Sequence, residues 1–203
     1  MEQHAVEKTT LTRKLTVDGL TKAYPVYKIR LDRLFYNDQN DRISTWISQY
    51  KSQHDGKAPD ITDQASYNDI IEKFIVESNP DAIRKTQNNI EMVDQREAGV
   101  VLADGRIIDG NRRYTCLRRL AEKNARFNYF EAVILDRSIE SSAKQIKLLE
   151  LSIQHGEESK VDYNPIDRLV GIHTDIVETG LISTAEYANS ANMAESEVKK
   201  QVE

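Results

Sequence analysis

The 203 residues are 39% hydrophobic and 30% charged with a net charge of −5, a balance that suits one core with additions and excludes a surface holding nucleic acid by wholesale phosphate neutralisation. No apolar run approaches the ~20 residues that span a bilayer, and the polar stretch from Met1 to Leu15 lacks the apolar centre of a secretory signal. The one cysteine, Cys116, excludes an internal disulfide and fits a reducing compartment, so the chain is expected in the cytoplasm with no membrane partner.

Residues 1–25 read as an N-terminal arm or an added edge strand, with alternation at Leu11, Leu15 and Val17. Val26 to Leu31 alternates and opens the core, which is expected over 26–137. Arg42 to Tyr50 places Ile43, Trp46, Ile47 and Tyr50 at helical spacing, with Trp46 in the core, and the polar, Gly- and Pro-containing 51–62 stretch reads as an insertion. Ile70, Ile71, Phe74 and Ile75 mark a helix that stops at Asn79-Pro80, and a second runs from Asp81 to Asp94. Phe130 to Leu135 is a buried strand. Residues 138–203 then read as helical. Ser138 to Gln154 carries Ala143, Ile146, Leu149 and Ile153 on one side, and Asn164-Pro165 starts a helix whose apolar stripe is Ile166, Leu169, Val170, His173, Ile176 and Val177. Two short pieces, Thr184 to Ala191 and Glu195 onward, have the arrangement of a helix-turn-helix. The second ends uncapped at Lys199-Lys200, as expected of a fragment of a longer protein.

The most specific stretch is Leu102 to Leu120. Asp104-Gly105 is the dipeptide of a two-residue hairpin turn between Val100 to Leu102 and Arg106 to Ile108. Gly110 turns the chain from strand into helix, with Asp109 or Asn111 available as cap and Tyr114, Leu117, Leu120 and Ala121 facing inward. A helix N-terminus favours anions, and the guanidinium forks of Arg112 and Arg113 suit phosphate oxygens. With Arg106, Arg118, Arg119, Lys123 and Arg126 they form the densest positive stretch, part of it a solvated helix face.

Asp109-Gly110-Asn111-Arg112-Arg113 followed by an amphipathic helix resembles the phosphate-binding turn of the ParB/sulfiredoxin superfamily. Two segments fit that family in order. Asn37-Asp38-Gln39-Asn40-Asp41-Arg42 is similar to the Asn-Pro-x-Gln-Pro-Arg box of ParB N-terminal domains, with Asn37 and Arg42 matching. Leu151-Ser152-Ile153-Gln154-His155, running on to Asn164-Pro165-Ile166-Asp167, stands where the family has Glu-Asn-Ile-Gln-Arg and then Asn-Pro-Ile-Glu. The resemblance implies an α/β domain, a small mixed sheet with covering helices, followed by a helical segment. It also implies a nucleotide pocket lined by Asn37, Arg42, Gly110, Asn111, Arg112, Arg113, Gln154 and His155, with CTP or ATP as ligand and Mg²⁺ as its companion. By the same resemblance the chain would be a homodimeric switch or clamp in a DNA-associated regulator of the chromosome or plasmid partition type.

The departures from the family bear on chemistry. Leu151 and Ser152 replace a Glu-Asn pair that would hold the metal and support hydrolysis, and only the Ser152 hydroxyl offers a weak ligand. Asn111 replaces glutamate, and no cysteine sits in the turn as sulfiredoxin chemistry requires. An NTPase or phosphotransferase on this scaffold would have Asp32 or Asp109 as base. A non-catalytic interaction module of a larger regulatory or defence protein is the third alternative. None of His4, His54, His155 and His173 pairs at metal spacing, His173 reads as a packed residue, and Cys116 reads as packing, not as a nucleophile. DNA contact would fall to Ser196, Lys199 and Lys200, against the carboxylates of Glu195 and Glu197 on the same helix.

Overall fold

The structure is a computed structural model that describes residues 5–17, 20–38, 40–136, 139–156 and 165–202, with backbone alone at 41, 139–142, 154–156 and 165. The chain divides into two compact units, one of residues 1–15, 21–37 and 59–136, the other of 16–20, 38–58 and 137–203.

The first unit is built on a five-stranded sheet in the order β1-β2-β5-β3-β4. The strands are β1 (Val6–Val17), β2 (Leu20–Arg30), β3 (Gly99–Leu102), β4 (Ile107–Asp109) and β5 (Tyr129–Leu135). The sheet is mixed: β5 runs antiparallel to β2 and parallel to β3, and β3 runs antiparallel to β4. The Phe-Glu-Ala-Val-Ile-Leu run is thus a central strand, with Phe130, Ala132 and Val133 fully buried, as expected for a strand with a neighbour on each side. The N-terminal stretch is the edge strand, and Thr9 Oγ1 donates to the Val26 carbonyl at 2.8 Å.

Helices α2 (Gln64–Ser78) and α3 (Pro80–Val93) break where expected. The Asn79 side chain accepts from the Ala82 N–H at 3.0 Å, and Pro80 follows as the first helical residue, which has no N–H to lose. They bury Ile71, Phe74 and Ile75, and Ile83 and Ile90, respectively, whereas Met92 is exposed. The hairpin differs from expectation by one residue. Gly105 N–H donates to the Leu102 carbonyl and Leu102 N–H to the Arg106 carbonyl, so the loop is Ala103-Asp104-Gly105, with Gly105 at φ +95°. That is the three-residue loop in which glycine takes the left-handed position of a bulge.

The second unit holds α1 (Ser44–Gln53), α5 (Ile139–Gly156), α6 (Pro165–His173) continued by a π-helical stretch Thr174–Glu178, α7 (Thr184–Ser190) and α8 (Glu195–Val202). Its core includes Leu151, Ile172, Ile182, Tyr187, Ala188, Ala191 and Val198. The helix pair α7 and α8 forms as predicted, with Ala188 and Val198 inside and a reciprocal cap between Ser183 and Glu186. The Asn164 cap expected for α6 lies outside the described residues.

Two expectations fail, the first in part. Of the apolar stripe of α6 and its continuation, Ile176 packs against the core and Val170 is half-buried, but Ile166, Leu169 and Val177 are exposed, as is His173, which lies 3.5 Å from Glu178. The buried face is Asp167, Gly171, Ile172 and Asp175. The reason is polar pairing: Asp167 accepts from Thr45 Oγ1 and its carbonyl from Ser44 Oγ at 2.8 Å, and Asp175 lies 3.0 Å from the ammonium of Lys147, itself 2% exposed. Buried carboxylates with such partners outweigh a periodic apolar pattern. Trp46 is half-buried, while its neighbours Ile43 and Ile47 are the core residues.

Candidate anion and nucleotide site

The chain from Leu31 to Asn37 touches the sheet through one backbone bridge at Phe35 and is otherwise bound to the helices of the first unit by side chains. Asn68 of α2 accepts the Tyr36 N–H at 3.2 Å through Oδ1 and donates to the Leu34 carbonyl at 3.0 Å through Nδ2. Helix α4 (Asn111–Ala121) contributes Tyr114, whose hydroxyl lies 2.8 Å from the Leu34 carbonyl and 3.0 Å from that of Leu31. Tyr67 OH donates to the Tyr36 carbonyl, and Tyr36 OH and Thr115 Oγ1 are 2.8 Å apart. Each partner is buried, so each bond satisfies a group that would otherwise be stranded away from water. Asn37, next in the chain and 1% exposed, is therefore anchored through its neighbour to the helix that carries the Gly-Asn-Arg-Arg turn.

That turn is built by close approach. Gly110 sits at φ +107°, a conformation glycine adopts without a Cβ penalty. A Cβ there would lie 2.7 Å from Phe130 Cζ and 3.3 Å from Arg113 Nε. Gly110 is itself the cap residue, and no side chain caps α4. Neither Asp109 nor Asn111 takes the role suggested for it. Asn111 is the first helical residue, 7% exposed, and neither its Oδ1 nor its Nδ2 has a hydrogen-bond partner among the described residues. A buried polar group left unpaired costs ~1–3 kcal/mol.

Asp109 is taken up by cations. Its Oδ2 accepts from Arg13 Nη1 at 2.8 Å and Arg113 Nη2 at 3.0 Å, with all three side chains 12–15% exposed. Arg13 also donates to the Ala98 carbonyl at 2.6 Å, and Arg113 Nη1 reaches the Glu97 carbonyl at 3.0 Å and its carboxylate at 3.1 Å. Arg113 thus braces the start of α4, and the Asp109 carboxylate is engaged by two guanidiniums. Arg13 was missed in the sequence reading because it lies on the strand treated as an arm. Asp18-Gly19, between two alternating runs, was the available hairpin signal.

The remaining candidates lie on other elements. Asp32 lies in a 3-10 turn and pairs with Arg30. Arg42 belongs to the second unit, in the 3-10 turn Asp41–Ile43, where its backbone N–H donates to Asn40 Oδ1 at 3.0 Å. Ser152 turns its hydroxyl back onto its own helix, donating to the Leu149 carbonyl at 2.8 Å, and Leu151 is buried in the apolar core of that unit. Gln154 and His155 lie on α5, with side chains outside the described residues. Ser196, Lys199 and Lys200 are exposed on α8, where Lys199 pairs with Glu195 at 2.9 Å. Among the described residues no three His, Cys, Asp or Glu side chains form a metal-binding group, and no helix is long and apolar enough to cross a membrane. Cys116 is buried, which pushes its thiol up to about 12, and its Sγ faces the Ile83 carbonyl.

No protein-family model matches this chain, and no curated protein matches it by sequence. Among solved structures it is similar to one described as a Pnob8-like ParB-N domain, with 11% identity and a TM-score of 0.51 over 87% of this chain and 67% of that one. Likeness at that identity is likeness of fold, and it covers both the mixed sheet with its helices and much of the helical remainder. The chain has the α/β fold of a ParB N-terminal domain.

Proposed function

We propose that this chain binds a nucleoside triphosphate, CTP or ATP, with its phosphates at the N-terminus of α4, and uses the bound nucleotide as a switch in a DNA-associated regulator. The observation that carries the reading is the start of α4: a left-handed glycine, a helix of eleven residues without a side-chain cap, and a buried Asn111 carboxamide with neither atom paired. Backbone N–H groups and the helix dipole favour an anion there, and Arg112 stands in the first turn, where a planar guanidinium fork suits phosphate oxygens. The resemblance of Asp109-Gly110-Asn111-Arg112-Arg113 to the nucleotide-phosphate turn of the ParB/sulfiredoxin superfamily favours a nucleotide among anions.

Binding without turnover is the form the residues support. Asp109 is neutralised by Arg13 and Arg113, and Leu151 supplies no metal ligand where the resemblance calls for one. Mg²⁺ would then come with the triphosphate, holding mainly water and phosphate oxygens. Titration of the full chain with CTP, ATP, GTP and UTP, with and without Mg²⁺, tests the proposal. One nucleotide is expected to bind saturably, more weakly by about tenfold or more after Arg112→Ala, with no phosphate release. Failure of all four refutes the reading.

A second reading concerns α7 and α8. The first turn of α8 carries Glu195 and Glu197, and carboxylates facing phosphates are unfavourable, so this pair is better suited to a protein contact than to the major groove. Duplex-DNA binding that weakens with salt and is lost on Lys199→Glu with Lys200→Glu would overturn that reading.

A further inference from the structure

Asn111 opens α4 with two unanswered atoms that make different demands. Nδ2 is a donor and Oδ1 an acceptor, and neither has a partner among the described residues while the residue is 7% exposed. Helical Cα–Cβ bonds tilt toward the N-terminus, so a first-turn side chain leans over the same end that the dipole makes attractive to anions. Of the charged residues beside it in sequence, Asp109 is held by Arg13 and Arg113, and Arg113 is shared with Glu97. Ionised phosphate oxygens only accept. They answer Nδ2 and the backbone N–H groups, and leave Oδ1 unmet.

We infer that the ligand of this end of α4 brings, beside its anionic oxygens, a hydroxyl or amino donor for Asn111 Oδ1. Such a ligand is a phosphorylated molecule of the nucleotide class, not inorganic phosphate, sulfate or a bare polyphosphate. The inference rests on the phosphate-site reading and adds what the ligand must carry next to its phosphates. Asn111 is then a specificity-determining residue, a role distinct from the electrostatic attraction of the helix end and of Arg112.

The test titrates the full chain with tripolyphosphate, CTP and ATP, comparing wild type with Asn111→Leu and Asn111→Asp, and follows thermal unfolding of each protein without ligand. At least one nucleotide is expected to bind about tenfold or more tightly than tripolyphosphate, the worth of a hydrogen bond made in a buried site. Asn111→Leu reduces nucleotide binding to the tripolyphosphate level without lowering the unfolding temperature, because leucine has similar volume and strands no polar atom. Asn111→Asp keeps the acceptor, so the nucleotide preference survives while its charge weakens all three ligands. Equal gains for CTP and ATP assign the donor to the shared sugar, and unequal gains assign it to the base. Tripolyphosphate binding as tightly as both nucleotides overturns the inference and leaves the phosphate site standing. A preference that survives Asn111→Leu also overturns it, as does a lower unfolding temperature in that variant, which makes the amide structural. Absence of binding by all three ligands overturns the phosphate-site reading and the inference together.

Discussion

Asp109→Asn separates the bracing role of the Asp109 cluster from its electrostatic effect on an anion, because the two respond in opposite directions. The carboxylate holds two guanidiniums, at 2.8 and 3.0 Å, with every partner 12–15% exposed. One such pair at ~4 Å is worth ~4 kcal/mol in gross Coulomb energy at an effective dielectric of ~20, most of which desolvation offsets. The isosteric amide keeps one acceptor and loses the charge, so a net loss of roughly 1–3 kcal/mol is expected. For a chain of this length that lowers the unfolding temperature by about 2–10 °C. Anion binding at α4 should move the other way. Removing a negative charge within roughly 8 Å of a bound phosphate, at an effective dielectric of ~40, is worth about 1 kcal/mol, or several-fold in affinity. Calorimetric unfolding and tripolyphosphate titration at low salt measure both quantities, and the affinity gain should shrink at 0.5 M salt. Unchanged stability together with weaker anion binding would refute the bracing role and the anion site at once.

Asn68→Ala removes the side chain that pairs with Tyr36 N–H and the Leu34 carbonyl, and should cost about 2–4 kcal/mol in chemical denaturation; a cost below ~0.5 kcal/mol would mean that the 31–37 segment is held by other contacts. The Lys144 ammonium 2.7 Å away, with the Ser183 N–H and hydroxyl, lowers the Glu186 carboxyl from its ordinary 4.5 to about 2. A depressed carboxylate stabilises above its unfolded-state pKa and loses that contribution as pH falls through the folded one. Wild type should therefore unfold at higher temperature than Glu186→Gln near pH 6, with the gap closing between about 4.5 and 2; a gap constant with pH would contradict this. Cys116, buried and with its thiol pushed up to about 12, should react with a thiol reagent at pH 8 only at the rate of unfolding, so rapid labelling of the native chain would show that its packing opens locally.

What the sequence by itself determined is what short-range chemistry controls. Asn79-Pro80 ends one helix and caps the next because asparagine accepts an N–H three residues on and proline gives up none. Gly105 and Gly110 mark the loop and the strand-to-helix turn because both take positive φ. The 130–135 run reads as a buried strand because five of its six residues are apolar, Glu131 being the exception. Tertiary structure decided whatever depends on partners distant in sequence. The α6 stripe was misread because Lys147 and Thr45, brought in from α5 and α1, turn Asp175 and Asp167 inward and leave Ile166 and Leu169 outside. Arg112 and Arg113 look equivalent in sequence. Arg113 is taken by Asp109 and Glu97, and Asp109 is itself held by Arg13 from a strand 96 residues earlier. That the Asn111 amide has no partner among the described residues is invisible to any local rule, since it depends on where residues distant in sequence are placed.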